Sequence, residues 1–188
     1  MTPNYYTSGV YVADNALDLA LINAALEGAI EIINGNYDTG VPPWGALNLN
    51  DNTKLQRVLQ VHLASRKILK LLKFSRIGEV AAELTQSTTI KIWGTQLYIK
   101  PKNTPQSVVG FHRDYQHMPY FSSGVLTAWI PLTEIVQQAG PLIYIIGSHN
   151  WQNSLPSSGG QVESIKEQKE KLKLESQNES WSEYSAVI

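Results

Sequence analysis

Two periodicities divide this chain. Before Thr85, apolar residues recur every three to four positions, the spacing that gathers them on one face of a helix. Leu17, Leu19, Leu21, Ile22, Ala25, Leu26, Ile30 and Ile33 predict a first helix over 14–33, with Asp14 or Asn15 as its cap. The turn-rich run Gly35-Asn36-Tyr37-Asp38-Thr39-Gly40-Val41-Pro42-Pro43 interrupts the pattern. A second helix is expected over 51–72, its inner stripe formed by Leu55, Val58, Leu59, Val61, Leu63, Ile68 and Leu71. A short third helix is expected over 77–84. Beyond Thr85 the period falls to two, with β-branched and aromatic residues, which predicts strands over 88–100, 107–112, 124–132 and 142–146. Short strands with Gly and Pro turns between them favour a barrel or jelly roll over βαβ units. The Lys-, Glu- and Gln-rich stretch 162–179 reads as a solvated helix without a catalytic role. The final residues, Tyr184-Ser185-Ala186-Val187-Ile188, read as the start of another strand. The expectation is a single domain of 188 residues, mainly β, with a helical layer over 1–85 and a β core over 86–188.

Composition narrows the chemistry. Apolar residues make up 43% and charged residues 16%, and the formal net charge is −1. No basic field therefore argues for nucleic acid or an anionic membrane as partner. Cysteine is absent, which removes disulfides, thiolate metal sites and cysteine nucleophiles together. Any metal must be held by His, Asp or Glu. No apolar run approaches the ~20 residues that cross a bilayer. The N-terminus lacks a basic region followed by an apolar one, so a cytoplasmic location is expected.

The chemistry concentrates at His112-Arg113-Asp114, set in an apolar and aromatic stretch from Val108 to Phe121. In an extended strand, side chains at i and i+2 share a face, so His112 and Asp114 can converge while Arg113 turns away. An imidazole and a carboxylate side by side are two of the three ligands of a 2-His-1-carboxylate site for non-heme Fe(II). Alone, a His-x-Asp triplet is far more often a surface ion pair than a metal site.

The flanking segments change that balance. Trp93-Gly94-Thr95-Gln96-Leu97-Tyr98-Ile99-Lys100-Pro101, Val109-Gly110-Phe111-His112-Arg113-Asp114-Tyr115, Leu126-Thr127-Ala128-Trp129-Ile130-Pro131-Leu132 and Ala139-Gly140-Pro141-Leu142-Ile143-Tyr144-Ile145-Ile146-Gly147-Ser148-His149 occur in that order. Together they resemble the phytanoyl-CoA dioxygenase family of Fe(II)- and 2-oxoglutarate-dependent oxygenases, with weaker similarity reaching back to Tyr37-Asp38-Thr39-Gly40. The resemblance implies a double-stranded β-helix (jelly roll) with helices packed outside it. It implies Fe(II) on His112 and Asp114 plus a distal His, 2-oxoglutarate as cosubstrate with ascorbate as reductant, and Trp129 against that cosubstrate. Gln96 and Lys100, one strand earlier, are further candidates to reach 2-oxoglutarate. Tyr115 and His117 are candidates to line the substrate pocket, although His117 fits a packing role equally well. A carboxylate at 114 favours hydroxylation over halogenation, which in related enzymes needs a small residue there. The substrate class expected is a small organic molecule, lipid-like or a secondary metabolite.

The sequence also departs from the family pattern. After Asp114 the only histidines are His117 and His149, and no arginine follows Arg113. The histidine of the Gly-Ser-His turn is not the family's distal ligand, so His149 is expected to pin a loop. The expectation is a jelly roll incomplete at its C-terminus, lacking the distal His and Arg, and a 188-residue chain that is itself inactive. The competing expectation is a non-catalytic jelly-roll remnant that binds a ligand or partner chain. A cupin-like isomerase or hydrolase ranks last.

Overall fold

The computed structural model describes residues 4–49, 51–104, 107–118, 120–121, 123–151, 164–177 and 180–187. The Ser-, Gly- and Pro-rich stretch 154–160, whose composition predicts a loop, lies outside them. The chain divides into two compact units. One comprises Ala13–Thr104 and Ala128–Glu134; the other comprises Met1–Val12, Pro105–Thr127 and Ile135–Ile188.

In the first unit the long helix α2 (Leu19–Ile33; α1, Tyr5–Ser8, belongs to the other unit) begins later than expected. Its cap is Asp18, whose carboxylate accepts from the Ala20 N–H at 2.7 Å, satisfying one of the donors a helix leaves unpaired at its start. Its inner face is Ala25, Gly28, Ala29 and Ile32. A Cβ on Gly28 would lie 2.4 Å from Ser65 Oγ, so the absent side chain is what lets Ser65 approach α2. Ser65 is itself the cap of the helix Arg66–Phe74, accepting from the Ile68 N–H at 3.4 Å.

The single helix expected over 51–72 is replaced by three elements. These are strand β2 (Gln56–Leu59), a one-turn helix α3 (Val61–Ala64) and α4 (Arg66–Phe74). The physical reason lies in two residues. Gln60 adopts a left-handed conformation (φ +56°) and Ser65 an extended one, and either interrupts a helix. Along β2, Gln56 and Val58 are buried while Arg57 and Leu59 are half-buried, a period-two alternation hidden within an apolar run that also fits a helix. A further helix, α5 (Ile77–Thr85), falls where expected.

β2 is the centre of an antiparallel sheet between β1 (Gly45–Leu47) and β3 (Gln96–Ile99), with Gly45 opposite Leu59 and Val58 opposite Leu97. Ala25, Ala29, Ile32, Val58, Val61, Ala64, Ile68 and Leu71 form the buried core, and Ile130 and Leu132 pack against it.

In the second unit β4 (Ile143–Ile145) pairs antiparallel with β5 (Glu183–Ser185), Tyr144 opposite Tyr184. This realises the strands expected at 142–146 and at the end of the chain. Helix α6 (Ile165–Ser176) lies within the expected 162–179, capped by Ser164, which accepts from Glu167 N–H at 3.2 Å. It is not merely a solvated face. Leu172 is buried with Ile145, and Phe111, Trp151 and Trp181 pack around them. The Gln168 amide clamps the Phe111 backbone at both ends: its Oε1 accepts from the N–H at 2.8 Å and its Nε2 donates to the carbonyl at 2.9 Å.

The mainly-β expectation is corrected in proportion. The described residues form helices and two small antiparallel sheets, of three and two strands, and helix exceeds strand. Of the strand expected at 88–100 only Gln96–Ile99 forms, and the stretches 107–112 and 124–132 carry no strand beyond an isolated bridge at Val109 among the described residues. Alternating residues can line one face only where a neighbouring strand completes the backbone hydrogen bonds. Ile90, Ile92, Trp93 and Val125 are instead exposed.

Candidate functional site

His112 follows the segment clamped by Gln168, and Asp114 opens a single 3-10 turn, Asp114–His117. The two side chains converge as the residue spacing suggests, but through a turn rather than the pleat of a strand. His112 Nε2 lies 3.4 Å from Asp114 Oδ1. The other ring nitrogen, Nδ1, is 2.8 Å from the Gly110 carbonyl. A carbonyl only accepts, so Nδ1 carries the proton and Nε2 is the nitrogen left for Asp114 or a metal. Asp114 Oδ2 accepts from the Thr127 hydroxyl at 2.5 Å.

The electrostatics follow from these contacts. Hydrogen bonding to Asp114 raises the His112 pKa above its ordinary value, against the opposing effect of burial. The same bond, then burial in the opposite sense, then Thr127, leave the Asp114 carboxyl below the usual carboxylate range. The arrangement is a polarised pair whose two inward atoms are a nitrogen and an oxygen. Behind each stands a second contact that fixes its orientation, as ligating histidines and carboxylates require.

Two donors each about 2.1 Å from one metal sit about 3 Å apart when adjacent in its coordination sphere. The observed separation is close to this, so His112 Nε2 and Asp114 Oδ1 fit a divalent ion such as Fe(II) as two of its ligands. Among the described residues no group of three His, Asp or Glu side chains is arranged to hold a metal. A nearby imidazole, His117, meets the His112 ring edge-on, with ring centroids 5.6 Å apart.

The family model for phytanoyl-CoA dioxygenase (PhyH) matches residues 5–187. The chain belongs to the phytanoyl-CoA dioxygenase family. No curated protein and no solved structure matches it significantly.

The other residues singled out in the sequence are divided between the two units. Gln96, Lys100 and Trp129 belong to the first unit, whereas His112, Asp114 and His117 belong to the second. Gln96 lies on β3 and its Oε1 accepts from the Tyr98 hydroxyl at 2.6 Å. Lys100 sits just past the end of that strand, and Trp129 is half-buried in a segment without strand pairing. The side chain of Tyr115 lies outside the described residues. Arg113 Nη1 donates to the Trp151 carbonyl at 2.9 Å.

Sequence reasoning gave no role at the site to Thr127, thirteen positions from its partner, or to Tyr144. The Tyr144 hydroxyl is pushed up in pKa, chiefly by burial and then by the charge of Asp114. Both lie in segments that carry the family resemblance, but no spacing singled them out. Only the folded chain brings them near Asp114.

His149 serves the N-terminus. Its Nε2 is 3.2 Å from the Tyr6 carbonyl, and the Gly147 N–H donates to the Ser8 carbonyl at 2.9 Å. These contacts hold a strap consisting of α1 and Gly9, with Asn4 capping α1 through its side chain. Gly9 has φ +77°, and a Cβ there would lie 2.5 Å from His149 Nδ1. Both the backbone conformation and the close ring demand glycine. Gly9→Ala is therefore expected to destabilise the protein by about 1–3 kcal/mol. It should also release the strap, seen as faster amide exchange at Gly9 and Gly147 than in the parent.

Proposed function

We propose that this chain is an Fe(II)- and 2-oxoglutarate-dependent oxygenase that hydroxylates a small organic molecule, lipid-like or a secondary metabolite. The observation that carries this reading is the His112–Asp114 pair, oriented from behind by the Gly110 carbonyl and the Thr127 hydroxyl, in a chain of the phytanoyl-CoA dioxygenase family. When bound, Fe(II) and 2-oxoglutarate supply O2 activation coupled to decarboxylation of the keto acid to succinate. His112 would hold the ion through Nε2 and Asp114 through Oδ1. Thr127 would keep the carboxylate turned toward the ion, and the Gly110 carbonyl would hold the imidazole in the ligating tautomer. Gln96, Lys100 and Trp129 are assigned to 2-oxoglutarate, and Tyr115 and His117 to the substrate. The double-stranded β-helix, with Fe(II), 2-oxoglutarate and ascorbate in a cytoplasmic setting, completes the reading.

Two protein donors hold Fe(II) less tightly than three, and the sequence has no arginine after Arg113 to meet the far carboxylate of 2-oxoglutarate. Succinate formation by residues 1–188 under Fe(II), ascorbate and O2 is therefore expected to be slight. The deciding measurement is an anaerobic Fe(II) titration with and without 2-oxoglutarate. The keto acid is expected to tighten Fe(II) binding, because it adds two donors to the two from the protein. If it leaves the affinity unchanged, the oxygenase reading fails. A non-catalytic role in binding a ligand or partner chain then takes its place.

A further inference from the structure

Beside His112, the second unit forms a half-open cavity of about 100 Å3. The N-terminal strap forms one wall through Ser8, Gly9 and Val10, and β4 forms another. The floor is apolar, with Phe111, Ile145 and Leu172. Two residues that donate hydrogen bonds, Arg113 and Tyr144, are also among its lining residues, together with His149, whose Nε2 proton goes to the Tyr6 carbonyl. Among the described residues, no Asp or Glu lines it. The acid of the neighbouring pair, Asp114, is already engaged by His112 and Thr127.

We propose that this cavity binds a small organic carboxylate, its anionic end toward Arg113 and Tyr144 and its aliphatic end on the Phe111–Leu172 floor. Arginine stays charged throughout the working pH range and suits a carboxylate in geometry as well as charge. The half-buried phenol of Tyr144 keeps its proton and so remains a donor. Size limits the ligand. Apolar cavities of about 150 Å3 hold a benzene ring, so this smaller space takes a group of a few heavy atoms. The binding claim needs no metal. Identifying the bound acid as the molecule to be oxidised rests on the oxygenase reading, which would narrow its substrate to organic acids beside His112.

The test uses metal-stripped protein and isotope-labelled propionate followed by NMR, with propionamide as the uncharged match in shape. Propionate is expected to bind at least about tenfold more tightly than propionamide, since a hydrogen bond to a charged group outweighs a neutral one by that margin. Arg113→Gln should lower propionate affinity about tenfold or more, Arg113→Lys less, and Tyr144→Phe several-fold. Equal binding of acid and amide overturns the proposal, as does propionate binding unchanged in a folded Arg113→Gln variant. Should the Arg113 variants fail to fold by circular dichroism, Tyr144→Phe decides, and unchanged affinity in that variant overturns it. Because no metal is present, failure here leaves the Fe(II) titration intact, and failure of that titration leaves the anion site intact.

Discussion

Asp114→Ala is expected to lower Fe(II) affinity by at least about 100-fold. Losing only a residue that orients a ligand costs about 10–100-fold. Asp114 is itself a proposed ligand and supplies the only negative charge of the pair. Thr127→Val, which removes the hydroxyl that turns Asp114 Oδ2, should fall at about tenfold. Anaerobic titration measures both, with a thermal melt to show that each variant is folded. Acid should mimic the substitution in the parent protein. Protons compete with the metal at His112 Nε2, and because Asp114 raises the His112 pKa, affinity should begin to fall at a higher pH than for an ordinary histidine. The metal-free pair has its own pH window. A raised histidine contributes stability below its unfolded value of about 6.5, lost as pH rises through its folded value. A depressed carboxyl contributes above about 3.9, lost as pH falls through its own folded value. The pair therefore supports the metal-free fold from about pH 4 to above 6.5, and the His112→Asn and Asp114→Asn melting curves should converge on the parent outside that window. An Asp114→Ala protein with parental Fe(II) affinity would end the metal assignment.

The helices with clean periodicity, α2 and α5, were legible from residue spacing, as were β4 and β5 from their β-branched and aromatic content. The stretch 51–72 was not. Leu55, Val58, Leu59 and Val61 satisfy both a helical stripe and a buried strand, and the residue that separates the two readings is Gln60, a left-handed non-glycine with no sequence signature. Its conformation is held from far along the chain: its side-chain oxygen accepts from Thr95 N–H and its own N–H donates to the Thr95 carbonyl. At the site, the convergence of His112 and Asp114 was legible because it is local. What orients them was legible only in part. Gly110 lies two residues from His112, but Thr127 reaches Asp114 across thirteen positions and Gln168 clamps Phe111 across 57. Pairings at that separation leave no periodic trace, because they arise when elements pack and not when they form.

Helix α6 shows what such packing is worth, and Leu172→Ala should destabilise the fold more than any substitution at the His112–Asp114 pair or in the N-terminal strap. By composition α6 is a charged surface helix, yet Leu172 is 1% exposed and Leu174, two residues on, is 81% exposed. Two positions along a helix turn a side chain by about 200°, so one leucine meets the core while the other faces water. Truncating a buried leucine removes its transfer energy and leaves a cavity that neighbours fill only partly, for a cost of about 2–5 kcal/mol. Against a total of about 5–15 kcal/mol for a whole domain, that is a large share. Leu174→Ala should stay within about 0.5 kcal/mol, and Leu172→Met should cost less than about 1.5 kcal/mol because it conserves volume. The loss at Leu172 should also reach the site. Leu172 and Phe111 share one cluster, and Gln168, one turn earlier on α6, holds the Phe111 backbone that leads into His112. Urea unfolding of the three variants gives the energies, and Fe(II) titration below the transition gives the functional cost, expected to be larger for Leu172→Ala than for Leu174→Ala. Equal destabilisation by the two alanine variants would show that α6 does not present Leu172 to the core, and the support assigned to His112 would fall with it.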